Sequence, residues 1–241
     1  MTDVLAPLLE LEDVSSAVQA AQEAVFAVHR HPANLRGASA TAAEASVRAA
    51  RASAAIDGAD PGIPADASVT DPVLAGALRV AQASESLLPT WRRAPRQALA
   101  RMHVLAAADL TDDRDMLGRP RPGTAPRLEM LAQLVTGATS VSGVMLASVV
   151  HGELLALAPF GSADGVLARA AARLTLVATG ADPKSLTVPE VAYLREVSRY
   201  RETAAAFASG QASGVRDWLL FCCAALQKGA REARGIAEAT A

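Results

Sequence analysis

Apolar residues recur at helical spacing along nearly the whole chain. Between residues 14 and 29, for example, apolar side chains follow one another every three or four positions, which is the spacing of one face of an α-helix. Stretches in which β-branched residues alternate with polar ones between turn dipeptides, the usual sign of strands, are nearly missing. The pattern therefore predicts an all-α protein.

Capping residues, prolines and glycines predict where the helices begin and end. Ser15 and Ser16 are candidate caps of the first helix. Asp71 and Pro72 open another helix, which Pro89 is expected to interrupt. The predicted helices cover residues 14–29, 41–56, 71–87, 95–109, 126–136, 141–157, 164–178, 188–208 and 213–237.

The segment 141–157 is the most apolar of these and is expected to be the central buried helix. The proline-rich loop after Gly58 is the one place where composition suggests a division. We therefore expect an N-terminal helical region, residues 1–70, and a helical core, residues 71–241, that form one compact unit.

Composition and charge limit the kinds of core, partner and membrane segment that this chain can have. The 241 residues are 51% hydrophobic but only 3% aromatic, so the core is expected to consist of small aliphatic side chains. A net charge of −2 without a basic stripe argues against nucleic acid binding. A membrane span and a signal peptide are not expected either, because no run of 18 apolar residues occurs and the first residues are acidic.

The two cysteines, Cys222 and Cys223, are neighbours in the sequence. Adjacent cysteines rarely bridge each other and make a poor metal site. They are interpreted as buried apolar residues of a protein in the reducing cytoplasm, and neither a metal nor a cofactor is expected.

The segment 151–169 carries the most information about function. It has the layout of an apolar helix, a tight loop containing Pro159 and Gly161, and a second helix that begins at the loop. Such a layout directs backbone N–H groups and a helix N-terminus at one point, where an anion binds favourably.

This segment resembles the signature of the Fic (Fic/Doc) family of nucleotidyl-transferring enzymes. That signature reads His-Pro-Phe-x-Asp/Glu-Gly-Asn-Gly-Arg-x-x-Arg, and Pro159, Phe160, Gly165 and Arg169 match it. The resemblance extends in weaker form over residues 10–235 and implies a Fic-like helical domain with an N-terminal helical extension.

A second motif supports the resemblance. Fic proteins with an N-terminal regulatory helix carry Ser/Thr-x-x-x-Glu-Gly/Asn on it. Ser53, Asp57 and Gly58 fit this inhibitory motif, with Asp in place of Glu. In the family, the last signature arginine binds phosphate or pairs with the inhibitory carboxylate, and the second role implies a pair between Asp57 and Arg169. An ordinary arginine on a helix surface is the alternative.

The departures from the signature fall on the residues that carry its chemistry. The catalytic histidine position is Ala158, which has no titratable group, so protein AMPylation is expected to be absent. Ser162 replaces the metal-binding carboxylate, and Ala163 replaces a glycine. Asp164 in place of Asn and Val166 in place of Arg both act against binding of a nucleotide triphosphate.

The target clamp of the family is also expected to be lost. Active members carry a β-hairpin flap that holds the target peptide by strand addition. The matching segment, 112–125, contains Pro120 and Pro122 and lacks a β-branched run. It is too short and too rich in proline for a long hairpin, so the flap is expected to be shortened or absent.

The remaining motif residues have two interpretations each. Gly161 and Gly165 either form only a turn or keep some affinity for an anion or a nucleotide. His151 and His103 are either proton-transfer groups or hydrogen-bonded core histidines, and the second is favoured.

The leading functional hypothesis is a catalytically degenerate Fic-fold protein, a cytoplasmic regulator or scaffold that binds an unidentified protein partner. The alternative is an enzyme of altered chemistry, such as nucleotidyl or phosphoryl transfer, in which Asp164, Ser162 or His151 takes over proton transfer at the remodelled loop. A third hypothesis is a homodimer through the alanine-rich helix at 41–56. The sequence identifies neither the partner nor the ligand.

Overall fold

The computed structural model describes residues 3–63 and 68–239, and within these ranges it contains no strand. Short 3₁₀ turns lie at Ala6–Glu10 and Arg114–Met116, and a π-helical turn lies at Leu134–Ala138. The α-helices are α1 Val14–His29, α2 Pro32–Gly37, α3 Ser39–Ile56, α4 Pro72–Arg93, α5 Pro95–Ala107, α6 Ala125–Gln133, α7 Gly143–Leu157, α8 Asp164–Ala178, α9 Pro189–Arg195, α10 Val197–Ala208 and α11 Ala212–Ala239.

The predicted all-α class is confirmed, but Pro89 does not interrupt α4 as predicted. The helix continues to Arg93 with Pro89 inside it. A proline inside a helix costs one backbone hydrogen bond. Leu87 and Trp91, on either side of it, are both fully buried, and their packing offsets that cost.

Three other local predictions are wrong. The single helix expected at 188–208 is broken at Glu196, whose backbone leaves the helical region. Asp13, rather than Ser15 or Ser16, precedes α1, and no side chain caps that helix. Ser213 lies inside α11 instead of preceding it, and α2 was not expected.

Helix α7 lies at the centre of the molecule, as predicted. Ten of its fifteen residues are buried, and it packs against α8, α10 and α11. Gly152 allows a close contact with α11, because a Cβ at this position would lie 2.7 Å from Nε1 of Trp218.

The N-terminal helices pack on the same core as the rest of the chain. Helix α1 lies against α11, and α3 lies between α4 and α9. One apolar cluster contains Ile56 and Leu74, from either side of the proposed division at residue 70. That division stays a prediction, and residues 64–67 of the predicted loop lie outside the described residues.

Within the described ranges, none of the helices combines the length and the apolar character that crossing a membrane requires. In the same part of the chain, no group of three or more His, Cys, Asp and Glu side chains is placed so that it could hold a metal ion. Cys222 and Cys223 are buried free thiols.

Candidate functional site

The signature loop, residues 158–163, joins the end of α7 to the start of α8. Its Ala158, Gly161 and Ala163 have left-handed backbone angles, with φ of 41°, 80° and 53°. This conformation costs a non-glycine residue free energy. The three residues reverse the chain within one short loop, and this places the N-terminus of α8 beside the C-terminus of α7.

The N–H groups of this loop bind a carboxylate of the same chain. Asp164 accepts a hydrogen bond from the Phe160 N–H at 3.0 Å and another from the Gly161 N–H at 2.7 Å. Burial raises the pKa of Asp164, although these two N–H groups and Arg121 act in the opposite direction. The sequence predicts that the loop N–H groups bind an external anion. In the structure, the Asp164 carboxylate of the same chain accepts their hydrogen bonds.

A second carboxylate lies against the first turn of α8. A Cβ on Gly165 would lie 2.6 Å from Oδ2 of Asp57. Gly165 thus allows the carboxylate to lie close to the helix, because a side chain at this position would push it aside. Asp57 follows α3, and Gly58 turns the chain away with a φ of 94°.

The side chain of Arg169 is buried, with 2% exposure, and each of its three nitrogens donates to its own chain. Its Nε donates to Oγ of Ser53 at 2.7 Å, and its Nη2 donates to the Ser53 carbonyl at 3.0 Å and to Oδ2 of Asp57 at 2.7 Å. Its Nη1 donates to the Tyr200 hydroxyl at 3.2 Å. The predicted pair between Asp57 and Arg169 forms.

Tyr200, which the sequence did not indicate, links this arginine to His151. The Tyr200 hydroxyl lies 2.8 Å from Nε2 of His151. This hydroxyl accepts from Nη1 of Arg169 and shares its second hydrogen bond with the imidazole of His151. Burial and the charge of Arg169 hold the pKa of His151 well below its ordinary value, and burial raises the pKa of Tyr200 to about 12. His151 is a neutral core histidine.

His103 holds the loop from the other side. Its ring stacks on Phe160 with 4.3 Å between centroids, and its Nε2 lies 3.1 Å from Oγ of Ser162. Its Nδ1 accepts from the Gly118 N–H at 2.9 Å. Burial lowers the pKa of His103, and the neutral ring must then carry its proton on Nε2. His103 therefore donates to Ser162 and does not take its proton.

The segment that matches the flap forms a short 3₁₀ turn and irregular loop, and the described residues contain no hairpin there. Arg121 of this segment lies on the signature loop. Its backbone N–H donates to the Pro159 carbonyl at 2.7 Å, and its Nη2 donates to the Leu157 carbonyl at 3.0 Å. Arg121 thus satisfies a carbonyl at the end of α7. Nothing in the sequence pattern marked it for this position.

Val166 takes the place of the first signature arginine and is buried in the apolar core. The structure places Ser53 and Asp57 of the inhibitory motif against Gly165 and Arg169 of the signature. It adds Arg121 and Tyr200, which the motifs do not include.

A crystal structure of a Fic family protein from Desulfovibrio desulfuricans G20 matches this architecture. The TM-score is 0.73 over 93% of this chain and 74% of that chain. This chain has the Fic fold. The sequence identity is 20%, so the likeness concerns the fold alone. No protein-family model matches the chain, and no curated protein matches it either.

Proposed function

We propose that this Fic-fold chain is a pseudoenzyme, which has lost nucleotidyl transfer and acts by binding a protein partner as a regulator or scaffold. The observation that carries the proposal is the position of the Asp164 carboxylate. It takes up the N–H groups of Phe160 and Gly161, which would otherwise bind a phosphate.

Proton transfer by Ser162 or by a histidine at the loop has no support from the arrangement of these side chains. A general base must lie within hydrogen-bond reach of the proton that it abstracts. Position 158 offers only a methyl group. His103 carries its proton on the nitrogen that faces Ser162, and His151 is buried against Tyr200. These contacts favour loss of chemistry over a base relocated to Ser162 or His151.

Phosphate binding is disfavoured by charge. Asp57 and Asp164 both lie at the N-terminus of α8. Their negative charges would repel a phosphate bound at the same place. Arg169 is already held by Ser53 and Asp57. A nucleotide would have to displace these partners before it gained any contact to the arginine.

Two measurements test this proposal. The first is transfer of label from ATP to proteins of a cell lysate, which we expect to be absent for the wild type and for Ala158→His alone. The second is calorimetric binding of inorganic phosphate. Asp164→Ala frees two N–H donors and removes one charge, so it should bind phosphate more tightly than the wild type.

Asp71→Ala is the matched control for the binding experiment. Asp71 accepts hydrogen bonds from the N–H groups of Val73 and Leu74 at the start of α4, away from the loop, so its removal should leave phosphate binding unchanged. Label transfer by the wild type, or phosphate binding by the wild type as tight as by Asp164→Ala, would contradict the proposal.

We also place this function in the cytoplasm, because the free thiols of Cys222 and Cys223 fit a reducing compartment. The homodimer through α3 stays a prediction. Light scattering of the purified chain measures its mass in solution and tests it.

A further inference from the structure

A groove with a volume of about 500 Å³ runs along the side of α8, between α3 and α4. It does not include the N–H groups of the signature loop, although Ser53 and Arg169 line part of it. Its walls consist mainly of small apolar side chains from these three helices, among them Ala43, Ala49, Ala50, Ala77, Ala81 and Ala170. Because alanine methyl groups fill little space, they leave room between α3, α4 and α8 along the groove.

The residues that line the groove pass from buried to exposed, and we refer to these two parts as its buried end and its open end. Ser53 and Arg169 line the buried end. Gln82, Glu85 and Lys184 line the open end, where they are exposed. From Ser53 back to Ala43, α3 covers ten residues, which corresponds to roughly 15 Å along the helix axis. The shape therefore suits an extended chain better than a fused ring system.

The buried charges along the groove are neutralised by the protein itself. Arg169 is paired with Asp57, and Arg173 lies 3.2 Å from the carboxylate of buried Glu190. Neither arginine requires a charged ligand. The deep part of the groove is thus suited to an apolar occupant.

The open end offers an ammonium group. Nζ of Lys184 donates to the Asn34 carbonyl at 3.0 Å. An ammonium group has three donors, so this bond leaves donors for a ligand. Glu85 lies at the same end on α4 and bears the opposite charge. A single negative charge beside Lys184 is therefore favoured over a multiply charged phosphate.

We propose that this groove binds an unbranched acyl chain with a terminal carboxylate. The chain lies along the alanine walls towards Ser53 and Arg169, and the carboxylate lies at Lys184. The volume falls within the range of about 300–1,000 Å³ that is typical of small-molecule sites. The site makes no use of the loop N–H groups, so this proposal stands or falls independently of the proposed loss of nucleotidyl transfer.

Calorimetric titration of the full chain with saturated fatty acids, from octanoate to palmitate, tests the proposal. Each methylene buried in the groove should raise the affinity about fourfold. The gain should stop once the chain is longer than the groove. Absence of binding for every member of the series, or affinity that is independent of chain length, would overturn the proposal.

Variants that fill the groove test its location. Ala81→Leu combined with Ala170→Leu should weaken binding by about tenfold or more, because each displaced methylene costs about fourfold. Ala40→Leu is the matched control, since Ala40 lies on α3, is exposed and does not line the groove. Equal losses in the control and the filled variant would place the ligand elsewhere.

Two further variants complete the test. If the double variant does not fold, Ala43→Leu fills the groove at an exposed position and should weaken binding in the same way. Lys184→Gln should weaken binding of the carboxylates but not of fatty alcohols of equal length. An equal effect on both series would refute the assignment of the carboxylate to Lys184.

Discussion

The N-terminal end of α8 and the groove along its side differ in how their polar and apolar groups are paired within the chain. At its N-terminal end, polar groups meet polar groups of the same chain: Asp164 accepts from the loop, and Arg169 donates to Ser53, Asp57 and Tyr200. Along its side, alanine methyl groups face one another and leave a groove of about 500 Å³. One region is closed by hydrogen bonds, and the other is open because its side chains are small.

Because of this difference, we expect the two regions to have different roles, one in stability and the other in ligand binding. The closed end has a helix–loop–helix layout whose donors are already engaged, so an external ligand has to compete with Asp164 and Asp57. The groove presents apolar surface that a ligand can cover without breaking any hydrogen bond. Substitutions at the closed end should therefore cost stability, whereas substitutions along the groove should cost binding.

The largest effect is expected for Arg169→Ala. Removal of the guanidinium leaves Asp57, Tyr200 and the Ser53 carbonyl without their partner. Breaking a buried ion pair by removing one partner costs about 3–5 kcal/mol, and we expect a loss of that order in the free energy of unfolding. Urea denaturation followed by circular dichroism measures it.

Arg195→Ala is the control for this prediction. Arg195 pairs with Glu232 at 3.6 Å, but its side chain is 71% exposed, and exposed pairs contribute little. If both arginines gave the same small loss, the closed end would not hold α3 against α8.

A smaller loss is expected for Tyr200→Phe. The variant keeps the ring but leaves Nη1 of Arg169 and Nε2 of His151 without a partner inside the protein. Leaving one buried group unsatisfied costs about 1–3 kcal/mol. Because Arg169 keeps its bonds to Ser53 and Asp57, we expect most of the loss to come from His151 and the total to lie in that range. Tyr193→Phe, a change on the same aromatic cluster, should cost less. The same denaturation experiment compares the two, and a larger loss for Tyr193→Phe would contradict the central position of Tyr200.

The sequence predicted the fold because its main signals are local. Helical periodicity and terminal glycines and prolines are read directly from neighbouring residues. The failures at Pro89 and Glu196 have tertiary causes. Burial of Leu87 and Trp91 stabilises α4 as a helix that continues beyond Pro89. Nothing in the local sequence pattern predicts the break at Glu196.

From the sequence, contacts in the candidate site could be predicted only between residues at motif positions. The motif positions of Asp57 and Arg169 predict a pair, with a surface arginine as the alternative, and the ion pair forms at 2.7 Å. The contacts of Arg121, His103 and Tyr200 depend on how distant segments pack, and a single sequence does not encode such distances in its local pattern. Asp164 was expected to repel phosphate, but its bonds to the loop N–H groups follow only from the left-handed turn.

A gain in stability is expected for Ala158→Gly. Ala158 has a φ of 41°, and this conformation costs a residue with a Cβ roughly 1–2 kcal/mol. Glycine removes most of that cost but adds freedom to the unfolded chain, so the net gain should be about 0.5–1 kcal/mol. Ala156→Gly, two residues earlier inside α7, should instead lose about as much. Equal signs for the two variants would show that the turn at the loop is not strained.

The smallest effect concerns the pH dependence of stability at Asp164. Burial raises its pKa above that of an aspartate in the unfolded chain, so the folded state keeps the proton to higher pH. The contribution of this proton to the free energy of unfolding is fully present below the ordinary aspartate pKa, and it is lost as the pH rises through the raised value.

Asp164→Asn removes this titration while it keeps an oxygen that can accept from the loop. The stability of the wild type relative to Asp164→Asn should therefore fall as the pH rises from below the ordinary aspartate pKa towards neutrality. Asp3 and Asp182, whose pKa values are lowered, act in the opposite direction but cancel in this difference. A wild type that gains on the variant with rising pH would mean that the loop N–H groups outweigh burial at Asp164, and that the closed end of α8 prefers a charged carboxylate.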